Sequence, residues 1–194
     1  MVHGGCWSAA TADREQLRHL GAELVQYGIA IWSIGCRRAN EAGGGYPGTY
    51  LDVGAAIDRA REDAPRYRLD LARTVLVGHS AGGHLALWAA SRGALPASSP
   101  LHAPSPFTSC AVISLDGVGD LREFARFVPL HCGSGILEQL APSEALGEVS
   151  PAALQPATAI VLVSGVLDRL VPPGVAHDYT RALRTAPGRA APPC

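Results

Sequence analysis

Residues 75–84, Val75-Leu76-Val77-Gly78-His79-Ser80-Ala81-Gly82-Gly83-His84, run from an apolar, β-branched stretch into G-x-S-x-G and on into Leu85-Ala86-Leu87-Trp88-Ala89-Ala90. The pattern reads as a strand, a sharp turn and a buried helix. So tight a turn presses together the residues two before and two after the serine. Both must be nearly free of side chain, as Gly78 and Gly82 are. The helix that starts under Ser80 aims its first free N–H groups, and the positive end of its dipole, at negative charge developing there. These residues describe a serine displayed as a nucleophile at the carboxyl end of a strand.

Around this turn, strand-like and helix-like segments alternate. Upstream lie a helix over 13–27 with Leu17, Leu20, Leu24 and Val25 on one face, a strand over Ile29 to Ile34, and a helix over 49–64. Thr74 to Val77 forms the strand before the turn, and the helix after it runs to about Arg92. Downstream come a Pro/Ser-rich loop from Pro96 to Pro106 and a strand over Cys110 to Leu115. An irregular region from Leu121 to Pro156 follows, with a helical piece at Leu121 to Phe127 for which Asp120 serves as N-cap. A strand over Ala159 to Ser164 and a helix over Gly174 to Arg184 complete the series. This alternation implies a mostly parallel sheet with helices on both faces. The 194 residues suit one domain, 1–194, with 117–156 as an insertion that would cover a cleft.

Hydrophobic content of 47% against 17% charged residues fits a globular chain with a buried sheet. A net charge of −1 makes no electrostatic case for nucleic acid or an anionic membrane surface. No signal peptide or membrane span is read. Cys6, Cys36, Cys110, Cys132 and Cys194 are scattered and odd in number. They read as reduced thiols of a cytoplasmic protein, without a disulfide frame or a zinc site. The Gly43-Gly44-Gly45-Tyr46-Pro47-Gly48 run lacks the Lys-Ser/Thr ending of a phosphate loop and reads as a mobile loop near the site.

His3-Gly4-Gly5-Cys6-Trp7 is the second signal. Two glycines after a short apolar step let backbone N–H groups approach a bound acyl group. With the N–H of Ala81 they would form an oxyanion hole, where one lost donor costs about 3–4 kcal/mol in the barrier. The bland alternative is a simple glycine turn. With these two motifs, and Gly165-Val166-Leu167-Asp168-Arg169-Leu170-Val171-Pro172 after a late strand, the chain resembles the α/β-hydrolase superfamily. Within it, the likeness is to bacterial HGGxW esterases of the ferulic-acid-esterase-like and arylformamidase group, from His3 to about Leu183. The resemblance implies Ser80 as nucleophile, Asp168 as triad acid, and the N–H groups of Gly4, Gly5 and Ala81 as oxyanion donors. It has Trp7 line or brace the site; His79, at the variable position of the elbow, points away from the serine's proton and is a further candidate to line the substrate. Asp116 is the second candidate for the acid, and a turn-forming Asp is the alternative for Asp168.

The implied chemistry is hydrolysis of a carboxylic ester or aryl-formamide through an acyl enzyme, with no cofactor or metal and a small ester or amide as substrate. The missing piece is the base. Triad order requires a histidine after Asp168, and only His177 follows, inside an amphipathic helix. His84 is expected to pack locally, His3 to support its loop, and His19, His102 and His131 stand outside any motif. Both ends read as cut: Met1-Val2 looks like the last step of a strand, and 186–194 shows no periodicity. The expected fold is thus an α/β-hydrolase domain lacking its first strands and last strand–helix unit. A catalytically incompetent fragment or pseudoenzyme and, more weakly, a serine peptidase are the rival readings.

Overall fold

Three five-residue strands, β1 (Val75–His79), β2 (Ala111–Leu115) and β3 (Ala159–Val163), pair in parallel in the order β1-β2-β3. Their register sets His79 beside Leu115 and Leu115 beside Val163. All three strands therefore end at one edge, where the chain leads into Ser80, Asp116 and the loop carrying Asp168. Val2 extends the sheet through single parallel bridges to Gly78 on one side and Ile34 on the other. The computed structural model describes residues 1–154, 156 and 158–185; the segment 186–194 considered above lies outside them.

Nine α-helices occur among the described residues: α1 (Arg18–Val25), α2 (Gly48–Asp58), α3 (Ala60–Tyr67), α4 (Ala81–Ser91), α5 (Leu121–Phe124), α6 (Val128–His131), α7 (Ile136–Leu140), α8 (Leu146–Val149) and α9 (Pro173–Thr185). α4 is apolar on every side and all its residues are buried, which makes it the central helix of the core. Trp88 on α4 meets Tyr50 on α2 edge-on, with ring centroids 4.9 Å apart. Asp120 caps α5 as expected, its carboxylate accepting from the N–H groups of Arg122 and Glu123.

Several expectations are corrected. The apolar run from Ile29 forms no strand; it meets Met1–Val2 only through the Trp32 carbonyl, which accepts from the Met1 amino group, and the single bridge of Ile34 to Val2. The helix expected over 13–27 is confined to α1, and residues 14–17 form turns. Its apolar stripe does not reach the core, since Leu20 and Val25 stay exposed. Helices cover the two sheet faces unequally. Leu76 and Val112 are buried under α4, whereas Val75, Val161 and Val163 on the opposite face remain 39%, 46% and 48% exposed. No described helix is long and apolar enough to cross a membrane.

The cysteine reading is also overturned. Cys6 and Cys132 form a disulfide across 126 residues of sequence, Cys110 is disulfide-bonded as well, and Cys36 is free. The argument from reduced thiols to a cytoplasmic compartment therefore does not hold. The Cys6–Cys132 bond ties the HGGCW loop to the region of short helices α5–α8. Closing so long a loop restricts the unfolded chain, so replacing both cysteines with serine is expected to lower stability by about 2–4 kcal/mol. The measurement is the urea midpoint of the double variant against the parent under oxidising conditions.

Candidate active site

Ser80 joins β1 to α4 with φ +52° and ψ −118°, a backbone state that non-glycine residues hold only when their surroundings force it. The surroundings do so. Its N–H continues the strand pairing by donating to Leu115 O at 2.8 Å. A Cβ on Gly78 would lie 2.1 Å from Gly82 O, and one on Gly82 would lie 2.2 Å from Val2 O and 2.3 Å from His3 O. The glycines permit a backbone-on-backbone stack that holds the serine at the sheet edge, half-buried, with the HGGCW loop beside it. The Ser80 hydroxyl has no hydrogen-bond partner among the described residues.

Hydrogen bonds shape the neighbouring loop. His3 Nδ1 lies 2.8 Å from Gly4 O; the carbonyl can only accept, so this nitrogen carries the proton. Ser8 N–H donates to Gly5 O and Ala39 N–H to Trp7 O. Gly4, expected as an oxyanion donor, gives its N–H to Gln16 Oε1 at 2.6 Å. The N–H groups of Gly5, Cys6 and Ala81 have no partner among the described residues. Trp7, expected to line the substrate, is 3% exposed and stands behind the loop as a brace. His79 is half-buried, and its Nδ1 is buried without a hydrogen-bond partner among the described residues.

Asp168 lies in the loop after β3, where Oδ1 accepts from the N–H groups of Leu170 and Val171 at 2.7 and 3.0 Å. Asp116 immediately follows β2 with φ +45°. Its Oδ1 accepts from Gly165 N–H at 2.7 Å, anchoring the start of the Asp168 loop. Both carboxylates thus stand at the carboxyl edge of the sheet, where open α/β sheets gather their functional groups. His177 is exposed on α9. None of the rings of His3, His19, His79, His84, His102, His131 and His177 hydrogen-bonds to Ser80 or Asp168 among the described residues.

His84, expected only to pack locally, has a larger role. Fully buried on α4, it accepts from the Trp7 indole N–H at Nδ1 (3.1 Å), while Nε2 lies 2.9 Å from Val149 O. Since the indole can only donate and the carbonyl only accept, the ring is neutral with its proton on Nε2. It links the HGGCW loop, α4 and α8 in one chain of bonds. Burial pushes its pKa down to about 4, against the raising effect of the Val149 carbonyl. Gln16 was missed for lack of any signal: it lies in a turn twelve residues from the glycine it holds.

A serine on a strand–turn–helix elbow, backed by a glycine loop and acidic residues at the carboxyl edge of a parallel sheet, defines an α/β-hydrolase fold. Residues 1–173 match the family model described as BD-FAE, and the chain belongs to that family of α/β-hydrolase-type esterases. Solved structures agree on the fold. A lipase/esterase from Lactobacillus plantarum superposes with a TM-score of 0.76 at 20% identity, over 98% of this chain and 76% of that one. A truncated form of a carbohydrate esterase from gut microbiota gives 0.76 at 24% identity, over 97% and 73%. An acetyl ester–xyloside bifunctional hydrolase from Caldicellulosiruptor lactoaceticus gives 0.74 at 20%, over 96% and 67%. No curated protein matches the chain in sequence.

The low pKa of His84 makes stability depend on pH. The unfolded ring takes up a proton near pH 6.5, the folded one only near 4. The contribution is therefore complete above pH 6.5 and is lost as pH falls from there toward 4, by roughly 3 kcal/mol in all. Urea unfolding from pH 7 to pH 4 measures it. His84→Gln, which cannot take up this proton, is expected to show a shallower fall over the same interval.

Proposed function

We propose that the chain hydrolyses a carboxylic ester through an acyl enzyme on Ser80. The observation that carries this reading is the forced positive-φ elbow, at which both the Ser80 hydroxyl and the following N–H of Ala81 are without partners among the described residues. The Ser80 oxygen attacks the carbonyl carbon, and the charge arriving on the carbonyl oxygen is held by the N–H groups of Ala81 and Gly5. Collapse of this intermediate breaks the ester C–O bond, and the alcohol leaves with the proton lost by the serine. Water then attacks the acyl carbon, the bond from that carbon to the serine oxygen breaks, and a proton of the water returns to the serine as the acid leaves. Asp168 is the acid of the site, and Asp116 holds the loop that bears it. Aryl-formamides offer the same electrophilic carbonyl with an arylamine as leaving group.

One observation favours a second reading, a folded member of the family that does not turn over. A serine hydroxyl needs a base to take its proton, and no described histidine is hydrogen-bonded to Ser80.

A fluorophosphonate probe, from which the serine oxygen displaces fluoride, separates the two. Brisk labelling that disappears in Ser80→Ala is the expected result. No labelling of the parent chain would establish the second reading. Asp168→Asn is expected to slow labelling at least tenfold if its carboxylate supports the base. Turnover of a peptide p-nitroanilide without turnover of a p-nitrophenyl ester would replace the esterase reading with that of a peptidase.

A further inference from the structure

We propose that Gln16 is a positioning residue of the oxyanion hole, a role that rests on the serine-hydrolase reading above. Two successive peptide planes of the loop are each gripped by a side-chain hydrogen bond. The His3–Gly4 peptide is held by its N–H, which donates to Gln16 Oε1 at 2.6 Å, and the Gly4–Gly5 peptide by its C=O, which accepts from His3 Nδ1 at 2.8 Å. In a trans peptide the N–H and C=O point in opposite directions. Holding the Gly4 carbonyl against the His3 ring therefore turns the Gly5 N–H to the other side. Holding the Gly4 N–H on Gln16 withdraws it from the hole and turns the His3 carbonyl toward the start of α4, where it lies 2.3 Å from the place a Gly82 Cβ would take.

The grip is itself supported. Gln16 closes a turn with its N–H on Asp13 O, Ser33 Oγ donates to Arg14 O, and Arg38 Nη1 donates to Ala12 O. Ala12 packs against Gly5, 2.8 Å from where a Cβ on that glycine would stand. Segment 12–16 thus presses on the loop at Gly5 and bonds it at Gly4. Gly4 is buried, so an N–H deprived of Gln16 must find another acceptor, and the loop has to turn to supply one. A misdirected Gly5 N–H weakens binding of the oxyanion more than binding of the ground-state ester, which places the loss in kcat and not in KM.

Gln16→Met removes the acceptor at similar size, and Gln16→Glu keeps it. With a p-nitrophenyl ester, Gln16→Met is expected to lower kcat about tenfold or more with KM within roughly twofold, and Gln16→Glu to recover most of the loss. Amide hydrogen exchange at Gly4, followed by NMR, is expected to quicken about tenfold in Gln16→Met while that at Ala39 stays unchanged. Parent-like kcat in Gln16→Met, or unchanged exchange at Gly4, overturns the proposal. If the parent chain neither turns over nor takes the fluorophosphonate, the hydrolase reading fails by itself. The exchange comparison then still decides on Gln16: faster exchange at Gly4 supports its hold on the loop, and unchanged exchange refutes it.

Discussion

Backbone lies directly on backbone beneath Ser80, and the surrounding structure is arranged around that contact. The end of β1 presses on the first turn of α4 through Gly78 and Gly82, and the same turn presses on the carbonyls of Val2 and His3. Gly83 meets Gly117, just past β2, in the same way. No side chain fits between these segments, so their spacing is set by covalent geometry and not by a deformable core. A serine forced to φ +52° is tolerable only within such a frame.

Around this rigid centre, positioning is done by hydrogen bonds with no freedom of polarity. His84 has a donor on one side and an acceptor on the other, which fixes its charge and tautomer together. Its partners, Trp7 and Val149, belong to the HGGCW loop and to the short-helix region. The Cys6–Cys132 disulfide joins the same two regions covalently. The site is thus clamped between α4 and residues that lie far apart in sequence. The aspartates behave similarly: Asp116 fixes the loop on which Asp168 stands, and both carboxylates are bound by backbone N–H groups of that loop.

Local signals were legible where one segment carries all the necessary chemistry. The β1–Ser80–α4 unit could be read because apolar run, glycine spacing and buried helix are consecutive. The Asp120 cap could be read because the bonds it makes span three residues. The Ile29–Ile34 run was misread because strand propensity does not say whether a partner is present along its length, and only Ile34 makes a bridge. The stripe on α1 suggested burial, but Leu20 and Val25 have no core to meet. The cysteines were misread because spacing along the chain carries no trace of a contact across 126 residues.

The sequence by itself determined the parallel α/β class and the elbow that displays Ser80. These follow from periodicity, from glycine's missing side chain and from the handedness of strand–helix–strand connections. Only the tertiary structure decided which amides of the HGGCW loop are left unpartnered, that Trp7 braces the loop from behind, and that His84 is a neutral link between distant segments. The reason is physical: a backbone N–H is the same in every residue but proline. Whether it faces a substrate or is consumed by a group such as Gln16 depends on what the fold brings within hydrogen-bond reach.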